Sequence, residues 1–157
     1  MIKVGETIPL NIEVLNEKED KVTLKEFLGK YLVLYFYPKD DTPGCTTEAC
    51  ELRDFNKDIT KLGATIVGIS KDKIKSHLKF KEKYNLPFPL LSDESTQLQQ
   101  AFGIWAEKKF MGRTYMGTLR TTYLVDPEGK VVHIWENVNP KGHGQEVFER
   151  VKQEAGA

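Results

Sequence analysis

The chain has 157 residues, with 23 lysines and arginines balanced by 23 aspartates and glutamates. That length predicts a single domain over residues 1–157, long enough to bury roughly two thirds of its unfolded surface. Charge balance gives no bulk attraction to nucleic acid or membrane. No run approaches the ~20 apolar residues of a membrane helix, and Met1–Glu6 lacks a signal-peptide layout. The expected location is the cytoplasm, where two cysteines suit redox catalysis or metal ligation better than a permanent staple.

Strand-like and helix-like segments alternate, which predicts an α/β chain around a largely buried sheet. A short strand is expected near Ile12 to Val14. Thr23-Leu-Lys-Glu26 has capping-box form and should open a helix through Leu28, ended by Gly29. Tyr31 to Tyr37 is short, aromatic and branched, as a buried strand requires. A longer helix then runs from Thr42 or Cys45 to Leu62, stopped by Gly63, with Leu52, Phe55, Ile59 and Leu62 on its inner face.

Ala64 to Ser70 forms the next strand. Asp72 is placed to cap a lysine-rich helix reaching Tyr84, with Ile74, His77, Leu78 and Tyr84 on one face. Prolines exclude helix from Leu86 to Asp93, which reads as a turn into a short strand, and Thr96 to Phe102 reads as a brief helix closed by Gly103. Thr121 to Val125 and Val131 to Trp135 form a hairpin around Asp126-Pro-Glu-Gly129. Gln145 to Glu154 is the final helix.

Chemistry concentrates where the Tyr31 to Tyr37 strand gives way to its helix, at Pro38-Lys-Asp-Asp-Thr42-Pro43-Gly44-Cys45-Thr-Thr-Glu48-Ala-Cys50. A thiol at a helix N-terminus meets outward-pointing amide N–H groups, which favour the thiolate over the thiol. One nearby cation would add to this, and spacing alone leaves Lys39, Arg53 and Arg120 as choices. Thr42 lies within one helical turn of Cys45, where its hydroxyl could bond the sulfur or a substrate oxygen, or cap the helix. Pro38 ends the strand and brings no N–H donor.

The spacing of Pro38, Thr42 and Cys45 resembles the peroxidatic motif of the peroxiredoxins, and Cys50 resembles the arrangement in their bacterioferritin comigratory protein, or peroxiredoxin Q, branch. The similarity extends from Gly5-Glu6-Thr7-Ile8-Pro9 to the closing helix. Arg120, in Gly117-Thr-Leu-Arg120-Thr-Thr-Tyr-Leu-Val-Asp126, matches the family's second signature.

The resemblance implies a thioredoxin-like fold, with a central mixed sheet flanked by helices. It also implies a cofactor-free, thiol-dependent peroxidase acting on hydrogen peroxide and organic hydroperoxides. Cys45 is then the attacking sulfur, Arg120 its cation, and Thr42 and Pro38 shape the site. Cys50 resolves the Cys45 sulfenic acid as an intramolecular disulfide, which a dithiol such as thioredoxin reduces. A monomer is the expected state, with a dimer as the alternative. Glu48, one turn beyond Cys45, is as readily a solvated helix acid as an orienting group.

Residues five apart in a regular helix have Cα atoms about 9 Å apart, whereas a disulfide needs ~7 Å or less. The first turns, about Thr42 to Leu52, must therefore open for Cys45 and Cys50 to join. Two rival readings are a thiol-disulfide oxidoreductase, disfavoured because those proteins keep two residues between their cysteines, and a redox-controlled chaperone or binding module.

His77, His133 and His143 are widely spaced and make no zinc pattern with the cysteines, so no metal site is expected and the histidines read as structural or solvated. Trp105, Phe110, Met111 and Tyr115 read as loop packing, with a rim at the substrate entrance as the alternative. The six lysines from Lys71 to Lys83 read as a solvated helix face, without nucleic-acid recognition.

Overall fold

The computed structural model describes residues 1–156. Among these residues nine strands and four α-helices follow one another as β1 (Val14–Leu15), β2 (Lys21–Val22), β3 (Tyr31–Phe36), α1 (Pro43–Lys61), β4 (Ala64–Ser70), α2 (Ile74–Tyr84), β5 (Leu90–Ser92), α3 (Gln97–Phe102), β6 (Trp105–Phe110), β7 (Arg113–Thr118), β8 (Thr121–Val125), β9 (Val131–Trp135) and α4 (His143–Ala155). Seven strands form one sheet in the order β2-β1-β5-β4-β3-β8-β9. It is mixed: β3, β4 and β5 run parallel, and β8 joins β3 antiparallel.

Because successive side chains of a strand point to opposite faces, the unbroken apolar run of β3 supplies two cores at once. Val33 and Tyr35, with Tyr37 just beyond the strand, pack on one face with Cys45, Leu52 and Ile59 of α1, Phe80 of α2 and Val147 and Val151 of α4. Leu32, Leu34 and Phe36 pack on the other with Leu98, Phe102, Ile104 and Tyr123. Each fully buried aliphatic or phenyl side chain contributes roughly 1.5–3 kcal/mol.

Several local expectations are corrected. The first strand is displaced to Val14–Leu15, because the Asn16 side chain accepts the N–H groups of Lys18 and Asp20 and fixes the turn just after it. Leu24–Phe27 forms a 3₁₀ turn, and Thr23 makes no side-chain cap. Asp72 does not cap α2; its carboxylate accepts the Asp40 N–H at 2.8 Å and the Ser70 hydroxyl at 2.6 Å instead. The buried stripe of α2 is Ile74, His77 and Phe80, and Leu78 faces solvent. Helix α4 begins two residues early, since the Glu51 carboxylate of α1 accepts the N–H groups of Gly142 and Gly144 at its start.

The β6–β7 hairpin replaces the loop expected around Phe110 and Met111. Phe110 pairs with Arg113 across a two-residue turn, Met111-Gly112, in which both residues have positive φ. This is the backbone that lets a hairpin twist correctly, and methionine is an unusual occupant of its first position.

Candidate active site

The sheet register assembles the site. Phe36, the last residue of β3, pairs with Thr121, the first of β8, so Arg120 lies beside the chain as it leaves β3 for α1. Thr42 is the extended N-cap residue of α1 and Pro43 its first helical residue, which fits a proline whose fixed φ suits a position needing no N–H. The Gly44 and Cys45 N–H groups fall in the first turn, without helical acceptors. Cys45 is 1% exposed.

Arg120 joins the key groups. Its Nη2 lies 3.2 Å from Cys45 Sγ, and its Nη1 donates to Glu48 Oε1 at 2.7 Å. Gly44 makes room for this: a Cβ there would stand 3.2 Å from Arg120 Nη2 and 3.5 Å from Pro140 Cγ. Burial works against the guanidinium charge, but Glu48 and Cys45 outweigh it and raise the Arg120 pKa.

Glu48 is fully buried, one helical turn after Cys45. Burial pushes its pKa up from 4.5 to about 7, against the lowering pull of Arg120. A guanidinium held charged and a carboxyl held near neutrality are compatible, because a single cation is shared between two acidic groups. The second carboxyl oxygen, Oε2, has no hydrogen-bond partner among the described residues, and His143 Nε2 lies 3.8 Å from it.

Of the two sequence-based options for Thr42, the side-chain cap is absent. The Thr42 hydroxyl donates to the Lys39 carbonyl at 2.8 Å. Its lone pairs remain available to an incoming donor. Pro38 borders a pocket of about 210 Å³ with Lys39, Lys71, Trp105, Lys108, Tyr115, Met116, Gly117 and Thr118. Trp105 and Tyr115 thus line this pocket beside Pro38, while Phe110 and Met111 project from the hairpin, 66% and 87% exposed. Lys108 crosses β7, its Nζ donating to the Thr118 carbonyl at 3.0 Å, and only glycine at 117 lets its stem pass. Burial and Arg120 lower its pKa.

The turn between β3 and α1 is pinned by a buried network that the sequence did not reveal. His77 Nδ1 lies 2.7 Å from Asp40 Oδ2, while Asp40 also accepts from Tyr37 at 2.6 Å and Ser76 at 2.8 Å. His77 Nε2 meets the Leu91 carbonyl at 3.0 Å. Asp40, Asp72 and His77 are close enough to ligate an ion, yet both ring nitrogens of His77 are already engaged.

Cys50 is a free, partly buried thiol on the same helix as Cys45. Regular helix geometry holds the two sulfurs apart. The sequence reading therefore named Cys45, Arg120, Pro38 and Cys50 at or beside one locus. Glu48 is buried and so is not a solvated helix acid, its i+3 spacing from Cys45 being the usable signal, and His143 is buried and hydrogen-bonded, in keeping with a structural histidine.

Residues 4–134 match the AhpC/TSA family. The chain is 46% identical to peroxiredoxin Bcp of Bacillus subtilis over 96% of both chains, and 40% identical to peroxiredoxin Bcp of Escherichia coli over 98% of both. Its fold superposes on a peroxiredoxin Q mutant of Xylella fastidiosa with a TM-score of 0.92 at 35% identity, covering 99% of this chain and 98% of that one. It also superposes on the bacterioferritin comigratory protein of Xanthomonas campestris, a structure concerned with alkyl peroxide reduction. There the TM-score is 0.88 at 36% identity, covering 96% and 99%.

Proposed function

The chain belongs to the AhpC/TSA family, as a thioredoxin-fold peroxiredoxin of the Bcp or Q type, and from that premise we propose that Cys45 is its peroxide-reducing sulfur. The observation that carries this reading is the Arg120 guanidinium, which reaches Cys45 Sγ and Glu48 together at the start of a helix. In the proposed step the Cys45 thiolate attacks the distal peroxide oxygen. A sulfur–oxygen bond forms as the oxygen–oxygen bond breaks, leaving a Cys45 sulfenic acid and an alkoxide or hydroxide that takes up a proton.

Arg120 and the first-turn amides stabilise the negative charge as it moves from sulfur to the leaving oxygen. Thr42, its own proton committed to Lys39, accepts a hydrogen bond from the peroxide O–H. Pro38 walls the sulfur from water without competing for hydrogen bonds. The neighbouring pocket, with Trp105, Tyr115 and Met116 on its rim, supports organic hydroperoxides as substrates alongside hydrogen peroxide.

The first turns of α1 then open, Cys50 attacks the sulfenic sulfur, water leaves, and an intramolecular disulfide forms. A thioredoxin-type dithiol restores both thiols by taking the disulfide bond onto itself. This cycle suits a monomer in a reducing cytoplasm. Peroxide consumption with a thioredoxin reducing system tests it: wild type should turn over, and Cys45→Ser should not. Insulin reduction without peroxide consumption would support a dithiol oxidoreductase instead.

A further inference from the structure

We propose that His143 is the proton partner of the buried Glu48 carboxyl and, through Glu146, its connection to solvent. The proposal rests on the peroxidase reading for its purpose but not for its test. Among the described residues Glu48 Oε2 is buried without a hydrogen-bond partner, and His143 Nε2 lies 3.8 Å from it. The Thr122 hydroxyl, 2.8 Å away, is the present hydrogen-bond partner of that nitrogen, so Nε2 takes the Glu48 proton only as this hydroxyl turns aside. On the far edge of the ring, Nδ1 lies 2.5 Å from Glu146 Oε1. His143 is fully buried, whereas the Glu146 side chain is 48% exposed. One imidazole therefore spans the distance between a sealed carboxyl and the surface.

The proton balance is simple. A protonated Glu48 gives its proton to Nε2, Nδ1 gives its own to the Glu146 carboxylate, and Glu146 releases a proton to water. The imidazole ends neutral, with its proton on the other nitrogen, and the reverse passage restores it. The groups facing this path are Arg120, Cys45 and Glu51 around Glu48, Tyr35 from β3, and Thr122 and Glu146 around His143. Burial lowers the His143 pKa against the raising pull of Glu146 and Glu51, so the ring is a transient carrier and not a standing cation.

The peroxidase cycle gives the path a use. Thiolate and carboxylate compete for the single Arg120 guanidinium, so a proton held on Glu48 leaves Arg120 to the sulfur. Once Cys45 becomes an uncharged sulfenic acid, Arg120 turns wholly to Glu48 and favours its ionisation. The proton that Glu48 releases passes through His143 and Glu146 to bulk water, and the leaving oxygen takes its own proton from solvent, so the exchange balances. His143 is on this account a positioning residue, which sets the charge opposite Arg120.

The test is infrared titration of the resting enzyme's Glu48 carboxyl band, assigned by its loss in Glu48→Gln. Wild type should lose the band near pH 7. His143→Phe removes both ring nitrogens and should move the midpoint upward by about one pH unit, a tenfold change in proton affinity. Glu146→Gln, a surface change, removes the negative charge that holds the ring proton on Nδ1 and opposes ionisation of Glu48, and should move the midpoint downward by less than one unit. Should His143→Phe fail to fold, Glu146→Gln decides alone. An unmoved midpoint in the folded variants overturns the proposal. No peroxide is used, so a failed peroxidase assay would leave this result readable.

Discussion

Both oxygens of the Glu51 carboxylate, on α1, lie 2.9 Å from the backbone nitrogen of Gly142, the residue that opens α4. Glu51 Oε1 also accepts the Gly144 N–H at 3.2 Å. The helix that carries both cysteines thus caps the helix packed beside it. Opening α1 as far as Leu52, as a bond between Cys45 and Cys50 requires, withdraws that cap.

Peroxide-treated protein should therefore show a Cys45–Cys50 linkage by peptide mass mapping, less helix by circular dichroism, and faster amide exchange at Gly142 and Gly144. Reduction should reverse all three. A linkage formed with helix content and exchange unchanged would contradict the opening.

Arg120→Lys should lower the second-order rate of Cys45 oxidation by about 10²–10³. Lysine is a point charge on a flexible stem and cannot span 2.7 Å to Glu48 and 3.2 Å to Cys45 with one planar fork. Stopped-flow fluorescence at several peroxide concentrations measures this, and a rate within threefold of wild type would remove Arg120 from the mechanism.

Gly44→Ala should act through the same guanidinium. The added Cβ would stand 3.2 Å from Arg120 Nη2, so the arginine must withdraw from the sulfur by a few tenths of an ångström or more. A displacement approaching 1 Å costs up to about 10² in rate. The same stopped-flow measurement, with thermal melting as a control, should give a slower enzyme whose fold is intact.

Much of this architecture was legible because it rests on local patterns. The apolar run of β3, the glycine after α1, the β8–β9 hairpin and the thiol at a helix start each depend on a few neighbouring residues. The β6–β7 hairpin was not legible, since Met111-Gly112 lacks the asparagine or aspartate that usually marks such a turn. Asp72 looked like a helix cap because sequence shows only that an acid precedes α2, whereas its partners, Asp40 and Ser70, are brought to it by the fold. Arg120 could be chosen only through the family resemblance; the pairing of Phe36 with Thr121 supplies the physical reason. His143 lies 95 residues beyond Glu48, and only the packing of α4 on α1 brings them near.

Stability should depend on pH through Glu48. Its folded pKa, about 7, lies above the ordinary 4.5, so the folded state binds more protons than the unfolded state between those values. The stability associated with the neutral carboxyl is fully present below about pH 4.5 and is lost as pH rises through about 7, a change of about 3 kcal/mol at most. Glu48→Gln should flatten that part of the profile, and urea unfolding of both proteins at pH 5 and pH 8 measures it. Equal pH dependence in the two would place the ionisation elsewhere.

Cys45 must meet peroxide before Cys50 does. Cys50→Ser, treated with one equivalent of peroxide in the presence of dimedone and mapped by mass spectrometry, should carry a single dimedone adduct on Cys45, and Arg120→Lys in the same background should form it more slowly. An unmodified Cys45 after peroxide has been consumed would contradict the account.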